Sequence, residues 1–140
     1  MPDLIRTSVD LPAKPAEVYA YVAEPATSPM VSHARDVVDV TKDNGNVAGF
    51  KTKRGGVKYV TQAPPHYLEG EYQFKRSRAR YDIRFEAIGE AKTRVSIDVN
   101  IQPQSMRAKL QGPIPRLRAK LQLNDWQEQA QEHFSPKKKK

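Results

Sequence analysis

The sequence contains no cysteine at any of its 140 positions. This absence excludes disulfide bonds, thiolate catalysis and cysteine-ligated metal sites, and it fits a reducing compartment. No apolar run approaches the roughly 18 residues that mark a membrane-spanning helix. Residues 1–6 lack the basic and apolar regions of a secretory signal. We therefore expect a cytoplasmic protein without a membrane span.

Sequence patterns of several enzyme classes are also missing. The three histidines, His33, His66 and His133, stand in no metal-ligand spacing. The glycine pair at residues 55–56 does not match a phosphate-binding loop. No arrangement of serine, histidine and carboxylate can be recognised from spacing alone. We expect no metal and no cofactor, and the sequence identifies no catalytic residue.

The formal net charge of +8 is concentrated at the end of the chain. Residues 137–140 are four consecutive lysines. Without these 4 lysines, 20 of the 24 basic residues remain, against 16 acidic residues. A balance of +4 is ordinary for a globular domain. Such a lysine run is typical of a solvated tail. We therefore predict a single domain at residues 1–134 and a disordered basic tail at residues 135–140.

Alternation of apolar and polar residues predicts strands through most of the chain. Residues 4–11, 80–88 and 93–101 alternate with period two, as half-buried strands do. Four further strands are predicted between turns rich in glycine, asparagine and proline, at residues 35–42, 47–53, 57–62 and 67–75. Because the connecting turns are short, neighbouring strands should pair antiparallel.

Helical signals lie near the start and at the end of the chain. Residues 15–23 predict a short helix with Pro15 in its first turn, and residues 26–31 a second turn or short helix. Residues 113–134 predict a long helix whose apolar residues fall into two opposite sets. One set holds Ala119, Leu123, Trp126, Ala130 and Phe134, and the other Leu110, Ile114, Leu117 and Leu121. Either the helix bends near Asn124, or its halves face different neighbours.

Each predicted strand has one apolar face that needs a cover, and the helices are the available covers. We predict an α+β fold in which a curved antiparallel sheet of about seven strands wraps around the long C-terminal helix. One or two short helices follow the first strand. We also expect a cavity between the sheet and the long helix.

The opening of the chain resembles the START-like, or SRPBCC, superfamily. Residues 5–22 read Ile-Arg-Thr-Ser-Val-Asp-Leu-Pro-Ala-Lys-Pro-Ala-Glu-Val-Tyr-Ala-Tyr-Val, a strand followed by Ala/Pro, a Glu-Val pair and an aromatic residue. The polyketide cyclase/dehydrase and lipid-transport branch looks closest. The order of elements is similar over nearly the whole chain, although the divided apolar stripe of the last helix departs from the pattern. The resemblance implies the helix-grip fold and a cavity for an apolar or amphipathic molecule, in which some members catalyse cyclisation or dehydration.

Candidate ligand-binding residues are the aromatic and apolar side chains expected on the concave face and at the cavity mouth. The tyrosine hydroxyls are the candidate polar anchors, since a buried phenol needs a partner. The set is Tyr59, Tyr72, Phe74, Tyr81, Phe85, Val95, Ile97, Leu117 and Leu121. The same residues could equally form an ordinary filled core.

Three functions remain open at this point. The first is a carrier or sensor of a small hydrophobic or amphipathic ligand. The second is a cyclase- or dehydrase-like enzyme on an aromatic or polyketide-type substrate, with a tyrosine or His66 as general acid–base. The third is electrostatic binding of an anionic surface through the basic residues 75–80, the nearby Lys51, Lys53, Arg54 and Lys58, and the tail. Nucleic acid is disfavoured, because only Tyr81 could stack a base beside this cluster.

Overall fold

The structure, a computed structural model, describes residues 3–30, 37–43, 46–53, 55–74, 77–103 and 114–134. The predicted tail and His33 lie outside these residues. The helices are α1 (Pro15–Ala23) and α2 (Ile114–Phe134), with a short 3-10 turn at Pro25–Thr27. The strands are β1 (Asp3–Leu11), β2 (Val37–Asp43), β3 (Asn46–Thr52), β4 (Gly55–Ala63), β5 (Tyr67–Phe74), β6 (Ser77–Gly89) and β7 (Lys92–Pro103).

The seven strands form one antiparallel sheet in the order β1-β7-β6-β5-β4-β3-β2. The chain therefore runs as a meander from β2 to β7, and β1 joins the sheet beside β7. Ile97 lies opposite Ile83 on one side and Thr7 on the other. Short turns made this pairing predictable. The α+β helix-grip architecture is confirmed, with a short helix after the first strand and a long one at the end.

The inner face of the sheet carries the apolar core. Val95, Ile97 and Val99 alternate along β7, and each is fully buried. Ile83 on β6 and Leu68 on β5 extend the same layer across the sheet. The alternation follows from strand geometry, in which successive side chains point to opposite faces. Apolar area removed from water stabilises by about 25 cal/mol per Å², so this layer is the main stabilising element of the fold.

The outer face of the sheet carries several ion pairs. Arg94 lies 2.9 Å from Asp10, Arg84 3.1 Å from Asp98, and Arg80 3.3 Å from Glu69. The hydrogen bond from the Arg94 guanidinium lowers the pKa of the Asp10 carboxyl below its usual value. The three arginines are exposed, and ion pairs in contact with solvent add little stability each. Their main effect is to keep this face solvated while the opposite face packs.

Helix α1 crosses the inner face above β6 and β7. It begins at Pro15, whose missing N–H would have no partner in a first turn anyway. Its inner side buries Val18, Tyr19 and Val22. The helix ends before Pro25, because the residue preceding a proline is pushed out of the helical region.

Helix α2 is continuous from Ile114 to Phe134 and packs mainly on β1. Leu123, Trp126 and Ala130 are buried, as the first apolar set predicts. Of the two alternatives that the sequence left, a bend near Asn124 or halves with different neighbours, the helix shows no interruption at Asn124. Among the described residues, no helix is both long and apolar enough to cross a membrane.

Polar side chains fasten α2 to the segment that follows α1. Trp126 donates from Nε1 to the Thr27 carbonyl at 2.8 Å, and Gln122 donates from Nε2 to the Pro29 carbonyl at 2.8 Å. The carbonyls of an irregular segment need such partners when water is excluded. Residues 27–29 are therefore held against the long helix by their backbone carbonyls.

Candidate ligand-binding cleft

A cleft of about 940 Å³ opens between α1 and the strands β2, β3 and β4. Its size lies within the roughly 300–1,000 Å³ range of small-molecule sites. The lining residues come from the C-terminal half of α1, from the three strands and from the turn after β4. They are Tyr19, Ala20, Ala23, Glu24, Val40, Lys42, Asp43, Val47, Ala48, Tyr59, Gln62 and Pro64.

The cleft exists because the helices cover only part of the sheet. The main contacts of α1 are with β6 and β7, and those of α2 are with β1. Strands β2 to β4 form the other end of the same sheet. Their inner surface therefore continues past α1 and leaves the open space that the lining residues surround.

Two buried tyrosines form the deep end of the cleft. Tyr59 on β4 donates from its hydroxyl to the Ala23 carbonyl at 2.6 Å. The last carbonyls of a helix have no partner within the helix, so this bond completes the end of α1. Phe50 packs edge-on against the Tyr59 ring, with 6.1 Å between the ring centroids, and this contact fixes the position of the Tyr59 ring.

Tyr19 is the second deep residue, and its hydroxyl differs from that of Tyr59. The side chain is 8% exposed, and its ring packs against Phe85 with 5.1 Å between centroids. Its hydroxyl is buried, and no described group forms a hydrogen bond with it. Burial raises the pKa of the Tyr19 phenol above its ordinary value of 10.0. Tyr19, a lining residue of the cleft, thus carries a buried and neutral O–H group.

The mouth of the cleft is polar and charged. Glu24, Lys42, Asp43 and Gln62 are exposed there. Gln62 donates from Nε2 to the Val47 carbonyl at 2.9 Å, which ties β4 to β3 across the rim. A wall that is aromatic and aliphatic at depth and charged at the rim suits an amphipathic occupant.

The sequence placed the cavity elsewhere, between the sheet and the C-terminal helix, whereas the described cleft lies beside α1, and none of its described lining residues belongs to α2. A cavity at α2 stays a prediction, because residues 104–113 and the side chains of residues 114–119 lie outside the described residues. Leu121, expected at the cavity mouth, is 55% exposed on the outside of the helix. The side chain of Leu117 lies outside the described residues.

Of the other predicted ligand contacts whose side chains the structure describes, Tyr59 alone lines the cleft. Tyr81, Phe85, Val95 and Ile97 lie in the packed core. Tyr72 is half-buried, and its hydroxyl lies 2.8 Å from the hydroxyl of Thr52. The side chain of Phe74 lies outside the described residues.

Sequence reasoning missed Tyr19, Glu24 and Lys42. Tyr19 carried a usable signal, since it lies on the apolar side of α1 next to Val22. Glu24 and Lys42 read as ordinary exposed ends of elements. Only the tertiary arrangement brings these two residues to one rim.

The other predicted sites stay apart from the cleft. His66 is exposed in the turn between β4 and β5 and is not a lining residue. In the basic cluster, Arg80 lies within 3.6 Å of Glu71 as well as near Glu69, and Arg78 lies 3.8 Å from Glu71. These carboxylates offset part of the positive charge expected there, which weakens the case for an anion-binding surface.

Buried phenols make the stability of this fold sensitive to alkaline pH. Burial raises the pKa of Tyr59 and of Tyr81 above the ordinary 10.0 of an unfolded chain. The contribution of these residues is therefore fully present below pH 10 and is lost as rising pH ionises the unfolded state first. We expect denaturant unfolding to require less urea at about pH 11 than at about pH 9. The Tyr59→Phe protein should show a shallower decline, whereas an unchanged midpoint up to about pH 11 would contradict the burial of these hydroxyls.

No family model matches the sequence, and no curated protein matches it. Solved structures do match. A START superfamily protein from Mycobacterium smegmatis is 12% identical, covers 89% of this chain and 97% of its own, and has a TM-score of 0.59. An HSP90 activator from Plasmodium falciparum is 15% identical over 93% of this chain and 91% of its own, with a TM-score of 0.64.

A third similar structure comes from a plant. Ginseng major latex-like protein 151 from Panax ginseng is 10% identical over 96% of this chain and 99% of its own, with a TM-score of 0.60. At such identities the likeness shows the fold alone. The chain has the START-like fold that its opening residues resemble, and the matches extend over nearly its full length.

Proposed function

We propose that this protein binds a small apolar or amphipathic molecule in the cleft beside α1, as a carrier or sensor. The observation that carries the proposal is the cleft itself, which combines a suitable volume, two buried tyrosines and a charged rim. Apolar walls with a few polar groups are the usual composition of small-molecule sites. The START-like fold supports the proposal, and a cytoplasmic location remains part of it.

Two exposed valines on β2 provide a matched test of the cleft. Val40 lines the cleft and is 38% exposed, whereas Val38, two residues away, does not line it and is 59% exposed. The probe is N-phenylnaphthylamine, an apolar dye whose emission rises in an apolar site. We expect saturable binding to the wild type and to Val38→Asp, and binding about tenfold weaker or worse to Val40→Asp, because a carboxylate then faces an apolar ligand.

Circular dichroism should show the same fold for all three proteins, since both valines are exposed and neither belongs to the core. Absence of saturable binding to the wild type would refute the proposed function. Equal loss in both variants would show that the dye adheres to the exposed valines of the edge and would refute the cleft as its site. Turnover of a bound aromatic ketone would instead support the enzymatic alternative.

A further inference from the structure

We propose that the bound molecule carries a neutral hydrogen-bond acceptor, such as a ketone, ester or amide oxygen, which the Tyr19 hydroxyl binds at the deep end of the cleft. This inference rests on the ligand-binding function proposed above. It adds the chemical class of the ligand and the residue that selects it.

The Tyr19 hydroxyl is buried and has no hydrogen-bond partner among the described residues. A buried polar group without a partner is destabilising, and such groups are rare in folded proteins. Other hydroxyls of the inner face have partners: Tyr59 bonds to the Ala23 carbonyl, and Thr93 bonds to the Ala13 carbonyl at 2.7 Å. Asn100 also has an unsatisfied oxygen, but it lies on β7, away from the cleft.

The nearest obvious acceptor for Tyr19 is already occupied. Ala23 follows Tyr19 by one turn of α1, and its carbonyl accepts from Tyr59. The Tyr19 and Tyr59 phenols lie close enough for Tyr19 to add to the rise in the pKa of Tyr59, after the larger effect of burial. The two phenols are therefore neighbours: the Tyr59 hydroxyl bonds within the protein, and the Tyr19 hydroxyl has no partner among the described residues. We assign the Tyr19 hydroxyl to the ligand.

The Tyr19 hydroxyl should act as a hydrogen-bond donor. Buried donors are left without a partner more rarely in native structures than buried acceptors are. We therefore infer that the partner missing from Tyr19 is an acceptor. Burial favours the protonated phenol, and the O–H therefore persists at neutral pH. The position of the group is fixed, because its ring packs on Phe85 and its helix is anchored by the fully buried Val18 and Val22. A donor held by rigid packing gives a site its selectivity.

The acceptor should be neutral rather than anionic. Transfer of a carboxylate to a buried position such as that of the Tyr19 hydroxyl is costly without a paired cation. The charges among the lining residues are those of Glu24, Asp43 and Lys42, all exposed at the rim. The formal charges of these three side chains sum to −1, and none of the three side chains is buried beside Tyr19. A ketone, ester or amide oxygen meets the hydroxyl without bringing a charge to the deep end.

The test pairs two ligands of nearly equal shape with two tyrosine variants. Acetylnaphthalene carries a carbonyl, ethylnaphthalene does not, and each displaces N-phenylnaphthylamine from the cleft. For the wild type we record the ratio of the two dissociation constants, ethyl over acetyl. In Tyr19→Phe that ratio should fall about three- to tenfold, which is the usual strength of one net hydrogen bond. Tyr67→Phe is the control, because the Tyr67 hydroxyl bonds to Asp82 on the outer face and lies outside the cleft.

The unfolding of Tyr19→Phe without ligand gives a second measure. Because the substitution removes only an unpartnered hydroxyl, the variant should need at least as much urea to unfold as the wild type. Lower stability would mean that the hydroxyl bonds within the protein and would overturn the inference. An unchanged ligand ratio in Tyr19→Phe would also overturn it while leaving the cleft as a binding site. Failure of both naphthalenes to bind the wild type would overturn the inference together with the proposed function.

Discussion

Replacing Phe85 with alanine is expected to lower the free energy of unfolding by about 3–5 kcal/mol, the usual loss for a buried phenylalanine. Phe85 is 4% exposed, lies opposite Val95 on β7 and packs on the ring of Tyr19. The substitution leaves a cavity enclosed by the sheet on one side and α1 on the other. The surrounding strands are hydrogen-bonded on both sides and have little freedom to collapse into it. Urea unfolding followed by the emission of Trp126 measures the loss.

Glu86→Ala is the control for this experiment, because Glu86 is the next residue on β6 and is exposed. It should change the free energy of unfolding by no more than about 0.5 kcal/mol. A loss below about 1 kcal/mol for Phe85→Ala would mean that the ring lines open space, since a packed core side chain costs more to truncate. The cleft would then extend further under α1 than its lining residues indicate.

Met30→Ala should be the second most damaging substitution, at about 2–5 kcal/mol. Met30 is fully buried, and its thioether rests on Gly70 in the middle of β5. A Cβ atom at Gly70 would lie 2.7 Å from the Met30 sulfur and 2.8 Å from its terminal carbon. The sheet therefore has a depression at Gly70 that Met30 fills. The backbone of Met30 is held in place because the Ser28 hydroxyl accepts from the Met30 N–H at 3.1 Å.

Gly70→Ala tests the same contact from the other side. Alone, it should lower the free energy of unfolding by about 1–3 kcal/mol, because the methionine must move within a packed core. In the Met30→Ala background this loss should shrink or vanish, since the added methyl group then occupies vacated space. Gly56→Ala is the control, because the nearest atom to its added carbon, the Phe50 carbonyl oxygen, is 3.7 Å away. Additive losses for Met30→Ala and Gly70→Ala would show that the two residues do not touch.

The strands could be predicted from the sequence because their signal is local. Val95, Ile97 and Val99 alternate with polar residues, which predicts a strand with one buried and one solvated face. In the structure these three side chains are buried, as predicted. The proline at position 15 and the Glu-Pro pair after Ala23 likewise mark the observed ends of α1. Such features require no knowledge of what lies across the sheet.

The position of the cleft could not be predicted in this way. Periodicity says that Tyr59, Tyr81 and Phe85 face inward, but it does not say which of them a helix covers. That depends on where α1 and α2 rest on the sheet: their main contacts are with β6, β7 and β1, and the cleft opens beside β2, β3 and β4. The same reason explains Leu121. Its apolar character and helical spacing matched a buried face, yet α2 has only one buried side along the residues whose burial the structure describes.

The edge strand β2 has a consequence for the behaviour of the protein at high concentration. In the described sheet β2 pairs with β3 alone, and its pairing shifts between Val37 and Asp39 and again between Thr41 and Lys42. A regular exposed edge is a template on which strands of other molecules can stack. Two irregularities within seven residues interrupt that template, and the charges of Asp39, Lys42 and Asp43 repel a close approach of like groups. Although Val38 and Val40 are exposed, this edge is poorly suited to nucleate fibrils.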